Sequence, residues 1–174
     1  SDIENMKDPN AARVTIKNHP DVKRMLMMQK AIVEGTRALL YEAGIWHDIA
    51  LYCPEKPCRD EAHGVLEFLT PVVKAYISDM AFESTRLAIQ CLGGYGYISE
   101  YPVEQRMRDV KIASIYEGTN GVQALDLLGR KLTTKAGLYF RQMLGMIQRF
   151  AKEYRGHPTL ETEIAGFEAA VEAW

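Results

Sequence analysis

The chain has 174 residues with 21 basic and 23 acidic side chains, enough for one domain with a sizeable core and too evenly charged to announce a nucleic-acid partner. No apolar run of about 18 residues, and no basic stretch leading into an apolar one, marks a membrane span or a signal peptide, so the chain reads as soluble and intracellular. Three cysteines, an odd number, argue against a disulfide framework, and Cys53 and Cys58 lack the Cys-x-x-Cys spacing of a zinc site.

Residues 1–18 are polar and without a period, which suits a linker or the cut edge of a larger protein and predicts weak order. A helix is expected from Pro20, where Asn18 or His19 can cap, Pro20 suits the first helical position and Asp21 the first turn. Met25, Met28, Ile32, Thr36, Leu39, Ala43 and Trp46 recur at steps of three and four, the seam of a bundle helix. The proline-punctuated stretch Asp48 to Pro57 is expected to close it. A second seam runs from about Arg59 to Leu92 through Leu66, Leu69, Val73, Ile77, Met80, Ser84, Leu87 and Cys91. Pro71 interrupts this stripe nearly in phase, which favours one kinked helix over a new start capped by Thr70. Gly93-Gly94 then supplies the left-handed residue of a helix end.

A short helix is expected from Pro102 to about Ile112. Another starts near Asn120, with Val122, Leu125, Leu128 and Leu132 on one side and Arg130 and Lys131 suited to its C-terminal dipole. From Thr134 the pattern is helical again, with Leu138, Met143, Met146, Ile147 and Phe150 facing inward. Gly156-His157-Pro158 breaks it, and a last helix follows from about Leu160. With no strand alternation, no hairpin signal and no Gly-x-Gly-x-x-Gly unit, the fold class is all-α, an up-down helical bundle. The expected divisions are a linker at 1–18, a bundle at 19–132 and an appended helical region at 133–174.

The chemistry concentrates in Ile115-Tyr116-Glu117-Gly118-Thr119-Asn120-Gly121, where one carboxylate stands at a helix-loop-helix junction between an aromatic residue and a glycine. Such a group can act as a base on a carbon acid, or its charge can simply favour the next helix's N-terminus. Tyr116 and Gly118 can equally be plain structure, and Thr119 and Asn120 can cap, with Gln123 completing a box-like pair. Gln90 to Gly94 can be a helix end plus turn, and Arg108 and Asp109 read as structural ion-pairing residues. Asp60 and His63 form a single carboxylate-x-x-His pair, against the two that a di-iron bundle uses.

Taken together, Gln90-Cys91-Leu92-Gly93-Gly94-Tyr95-Gly96-Tyr97, Glu100-Tyr101-Pro102-Val103-Glu104, Arg108-Asp109 and the Glu117 run resemble the signature of the flavin-dependent acyl-CoA dehydrogenases over roughly Pro20 to Leu132. The resemblance implies that Glu117 is the catalytic base, taking the α-proton of an acyl-CoA thioester while the flavin takes the β-hydride, to give a 2,3-enoyl-CoA. It implies FAD contacts at Gln90, Cys91, Leu92, Gly93, Gly94, Thr119, Asn120 and Gly121, and substrate contacts at Tyr116 and Gly118. The thioester oxygen would be held by the Glu117 N–H and a flavin ribityl hydroxyl. Electron-transfer flavoprotein as acceptor, a homo-oligomer of two or four subunits and a bacterial cytoplasmic setting come with it. Asn120-Gly121 departs from the commoner family pattern of serine and a larger polar residue. The stretch from Tyr116 to Leu132 is similar instead to large bacterial members acting on 3-methylthiopropanoyl-CoA and related acyl-CoAs. The first helix of the family's C-terminal bundle and its β-domain have no counterpart here. The chain is therefore expected to be an incomplete C-terminal domain, silent in catalysis and without bound FAD by itself. An acyl-CoA oxidase on the same fold, and a helical scaffold module with a surface glutamate, are the competing expectations.

Overall fold

Proline at position 20 has no N–H to lose and a φ already suited to a first helical turn. Helix α1 (Pro20–Tyr52) begins there, with the Lys23 N–H donating to the His19 carbonyl at 2.9 Å. The computed structural model describes residues 8–173. Part of the stretch expected to be weakly ordered, residues 1–7, lies outside them, while the rest of it carries a turn at Asp8 and a 3-10 turn at Ile16–Asn18. The following elements are α2 (Lys56–Leu92), α3 (Gly94–Tyr97), α4 (Val103–Lys111), α5 (Asn120–Asp126), α6 (Thr134–Glu153) and α7 (Glu161–Glu172). Among the described residues there is no strand, so the chain is all-α as its patterning implies. None of the helices is long and apolar enough to cross a membrane.

The inward positions of α1 are Val22, Met25, Gln29, Ile32, Thr36, Leu39, Ala43 and Trp46, an unbroken alternation of three- and four-residue steps. Gln29 holds the place expected for Met28, which is 47% exposed. The register forces a polar residue into the seam, and its amide is satisfied by the Met25 carbonyl at 3.3 Å and by Cys91 Sγ at 3.6 Å. Helix α1 also runs past Asp48 to Tyr52, and α2 starts at Lys56 with Pro57 in its first turn, so the connection is shorter than expected. Arg59 Nη1 makes this tight junction possible by donating to the Cys53 and Pro54 carbonyls, at 2.6 and 3.0 Å, at the end of α1. All three cysteines are free thiols, and the Cys53 thiol, hydrogen-bonded to Cys58, pushes the Cys58 pKa up.

Helix α2 is continuous through a fully buried Pro71, the single-helix outcome. Thr70 does not cap a new start; its hydroxyl donates back to the Leu66 carbonyl at 2.7 Å. Beyond α5, the Leu132 N–H reaches back five residues to the Leu127 carbonyl at 3.0 Å, forming a π-turn over Leu127–Lys131. Val122, Leu125 and Leu128 are exposed, whereas Lys131 is buried.

In α6, Leu138 and Phe150, expected to face inward, are 39% and 47% exposed, and their neighbours Tyr139 and Ala151 are buried instead. Met143, Met146 and Ile147, also expected to face inward, are half-buried, and a left-handed turn at Lys135, Ala136 and Gly137 (φ 49, 55 and 78°) precedes the regular part of the helix.

The chain forms two compact units, one from residues up to Tyr41 with Val73–Asn120, the other from Glu42–Val72 with Gly121 onward. The first has Met25, Ser78, Leu87 and Gly96 as its buried positions. The second is built on Ala62, Val65, Leu69, Tyr139, Ala151 and Ile164. Its rings extend that core, Phe68 tilted on Phe140 at 6.0 Å and Phe150 edge-on to Phe167 at 6.2 Å.

Candidate functional site

The first unit carries both segments singled out by sequence, the second of them as far as Asn120. Helix α2 ends at Leu92 because Gly93 adopts φ 59°, and Gly96 in the following turn packs against α2 so closely that a Cβ there would lie 2.6 Å from the Ile89 carbonyl oxygen. A Cβ on Gly93 or Gly94 would meet nothing within 4 Å. Packing within the chain thus requires a glycine at 96, and the backbone at 93–94 is open on its outer side. Gln90, Leu92, Gly93 and Gly94 are exposed, while Cys91 is half-buried with its sulfur toward Gln29.

The second segment follows α4 and its 3-10 extension Ile112–Ser114, whose last bonds run from the Ile115 and Tyr116 N–H groups to the Ile112 carbonyl at 2.9 and 3.0 Å. Glu117 and Gly118 then take φ of 51 and 83°. For glycine that conformation is free; for glutamate it costs on the order of 1 kcal/mol and persists only where the surroundings impose it. Tyr116, Glu117, Gly118 and Thr119 are exposed, as is Gly121 in the first turn of α5. Among the described residues none forms an ion pair with the Glu117 carboxylate.

Asn120 is the half-buried member of the run, and its amide is held by α2. Its Oδ1 accepts from Lys74 Nζ at 2.9 Å and Ser78 Oγ at 3.2 Å. Its Nδ2 donates to Asp79 Oδ1 at 2.8 Å, Ser78 Oγ at 2.9 Å and the Ala75 carbonyl at 3.2 Å. Sequence reading missed Lys74, Ser78 and Asp79. The available signal was a polar pair four residues apart, Lys74 and Ser78, beside the apolar positions Val73 and Ile77 on one helix.

Gln90 and Ile115, one from each segment, border a single groove of about 980 Å³ walled by Phe82, Ile89, Met107 and Ile112. Its charged rim is Arg86, Arg108, Lys111 and Glu104. Arg86 holds the Glu83 carboxyl below its usual range through a 2.5 Å ion pair, Arg108 reaches Glu104 at 3.4 Å, and Lys111 Nζ lies 4.9 Å from the centre of the Phe82 ring. Arg108 is thus paired along its own helix, as a structural residue would be. Glu117 does not line this groove; it stands on the exposed turn beyond Ile115. Among the described residues no group of three or more His, Cys, Asp or Glu side chains could hold a metal ion.

The family model described as "Acyl-CoA dehydrogenase, C-terminal domain" matches residues 3–132. A broad-specificity linear acyl-CoA dehydrogenase of Mycobacterium tuberculosis is 39% identical over 173 residues, 95% of this chain and 27% of the relative. A butyryl-CoA dehydrogenase of Syntrophomonas wolfei is 40% identical over 96% of this chain and 27% of its own length. A 3-methylmercaptopropionyl-CoA dehydrogenase of Ruegeria pomeroyi is 46% identical over 134 residues, 77% of this chain and 23% of that protein. The chain spans about a quarter of the length of these relatives. By these matches and its helical architecture, the chain belongs to the acyl-CoA dehydrogenase family, in the region of the family's C-terminal domain.

Proposed function

We propose that this chain is part of an FAD-dependent acyl-CoA dehydrogenase in which Glu117 removes the α-proton of an acyl-CoA thioester. The observation that carries the reading is the Glu117 turn: a carboxylate in the left-handed region, exposed, followed by a left-handed glycine and with no ion pair among the described residues. Strain held at a residue that the chain's own packing does not use marks a position kept for something outside the chain.

The proton step needs two things of this segment. A carboxylate oxygen must reach the α-carbon hydrogen, and the charge appearing on the thioester oxygen must meet donors. Glu117 supplies the first. Its own N–H lies beyond the bonds that close the preceding 3-10 turn and is a candidate for the second. Gly118 leaves room beside it, and the half-exposed ring of Tyr116 can wall the acyl chain.

The open turn at Gly93-Gly94 fits a cofactor approached closely by backbone, since nothing inside the chain fills the space above either glycine. Gln90, Leu92, Gly93 and Gly94 would meet the FAD of a neighbouring subunit, while Thr119 and Gly121 would meet flavin at the other turn. Cys91 and Asn120 would contribute through backbone, their side chains being directed to Gln29 and to α2. FAD, when bound, would accept the β-hydride. We further propose that residues 19–132 are the family's helical domain and 133–174 an appended region; the end of the family match at 132 and the left-handed turn at 135–137 support the second boundary, while the match itself starts at residue 3. Electron-transfer flavoprotein as acceptor, a homo-oligomeric parent and a bacterial cytoplasmic setting belong to the same reading. Loss of deuterium from an α-deuterated acyl-CoA tests it: the full-length protein should wash the label out, and the same protein carrying Glu117→Gln should not.

A further inference from the structure

Cys53 follows the last residue of α1 and Cys58 lies in the first turn of α2, so the two thiols flank one tight junction. The backbone is fixed at both of them. The Cys53 N–H donates to the Ile49 carbonyl at 3.1 Å, and the Arg59 N–H donates to the Glu55 carbonyl at 3.1 Å. The Arg59 guanidinium returns to the Cys53 and Pro54 carbonyls, so the residue after Cys58 holds the backbone of Cys53. Pro54 and Pro57 each restrict φ within the same stretch. The two thiols, thus brought together, are hydrogen-bonded to each other. Both cysteines are free and half-buried, while Pro54, Glu55, Lys56 and Pro57 between them are exposed, which leaves the pair open to a small reagent. Cys91, the remaining thiol, belongs to the other compact unit. Among the described residues no third side chain completes a metal site with the pair, so its chemistry is that of a dithiol.

We propose that Cys53 and Cys58 form a reversible redox site, a dithiol that closes to an intrachain disulfide on meeting a low-molecular-weight disulfide. The Cys53 thiolate attacks one sulfur of the small disulfide; a mixed disulfide forms and one small thiolate leaves. Cys58, as thiolate, then attacks the Cys53 sulfur; the Cys53–Cys58 bond forms and the second small thiolate leaves. The two protein thiols give up two protons and two electrons, and the reagent departs as two thiols. Cys58 suits the second step, because the hydrogen bond to Cys53 pushes its pKa up and it keeps its proton the longer. The new bond ties the end of α1 to the start of α2, across the junction that Arg59 closes. The site is independent of the role given to Glu117.

The full-length protein, equilibrated in glutathione redox buffers, alkylated and digested with trypsin, tests this. Both cysteines fall in the tryptic peptide 38–59, because Lys56 precedes a proline. Oxidised glutathione should convert that peptide to a form two hydrogens lighter that takes no alkylating reagent, and dithiothreitol should restore both thiols. In Cys58→Ser the peptide should instead retain one glutathione on Cys53. Across the buffer series the folded pair should stay oxidised at a higher concentration of reduced glutathione than the same pair in urea, since thiols held together have a higher effective concentration than thiols on a flexible chain. A wild-type peptide that stays reduced, or that retains two glutathiones without closing, would overturn the site. So would a pair that oxidises no more readily in the folded protein than in urea.

Discussion

The ammonium of Lys131 is buried and ends on the carboxylate of Glu67, 64 residues earlier in the chain. Only 5% of Lys131 is exposed, whereas the Glu67 side chain is 40% exposed, so the two ends of the pair differ sharply in their access to water. The π-turn after α5 brings the lysine inward. Glu67→Gln leaves a buried ammonium with a neutral partner and should destabilise the chain by about 1–2 kcal/mol, less than for a fully buried pair because water reaches Glu67. Lys131→Met removes the charge along with the need for a partner and should be close to neutral. Urea unfolding of the two variants separates these outcomes.

Gly64 lies under the ring of Tyr139, where an added Cβ would come within 2.5 Å of Cδ1 and of Gln142 Oε1. The ring is buried and has little room to move, so Gly64→Ala should lose about 1–3 kcal/mol by overpacking. Gln142 Oε1 is itself buried without a hydrogen-bond partner among the described residues. Gln142→Met therefore removes an unsatisfied oxygen and should leave stability unchanged or raised, which thermal melting would show.

Two glycines only two residues apart should behave in opposite ways. Gly96→Ala drives a methyl into the Ile89 backbone, with contacts of 2.6 Å to its oxygen and 2.9 Å to its Cα, and should destabilise the end of α2 by about 1–3 kcal/mol. Gly94→Ala meets nothing in the chain and should leave the melting temperature where it was or slightly higher. If the open turn receives FAD, Gly94→Val in the full-length protein should nevertheless weaken flavin retention, measured by ultrafiltration.

Arg130 holds the Asp126 carboxyl below its usual value of 3.8, and Arg86 does the same for Glu83 below 4.5. A depressed carboxylate pKa in the fold means that the stabilisation is complete above the ordinary pKa and disappears as pH falls through the depressed one. Melting temperature should accordingly decline as the solution is acidified below about pH 4. Arg130→Gln should flatten that decline, its effect confined to the acid limb and weakened by salt, because the pair lies at the surface.

Helix existence and type were legible in the sequence because the apolar seams are long and regular. The stripe through Pro71 was in phase, and the helix is continuous there. What escaped were features decided by contacts distant in sequence. Gln29 occupies a seam position because the register demands it and a partner on α2 satisfies it, which hydrophobicity alone assigns to Met28. In α6 the half-buried Met143, Met146 and Ile147 follow the pattern, but Tyr139 and Ala151 are buried where Leu138 and Phe150 were expected, and Lys135 and Ala136 carry no sequence sign of the left-handed turn before them. At the site, the turn at Gly93 and the helix-loop-helix junction around Glu117 were readable from local chemistry, whereas the exposure of the carboxylate within this chain is what the scaffold reading expected. The hydrogen bonds of the Asn120 amide were not, since its partners lie 41 to 46 residues away.

The most direct measurement is anaerobic titration of the full-length, flavin-loaded protein with acyl-CoA thioesters, following the flavin absorbance in wild type and in Glu117→Gln. Bleaching in the wild type, and its loss in the variant with flavin still bound, is the predicted result. Bleaching that continues undiminished in Glu117→Gln, or a full-length protein that holds no flavin, would contradict the assignment of Glu117 as the base of a flavin-dependent dehydrogenation.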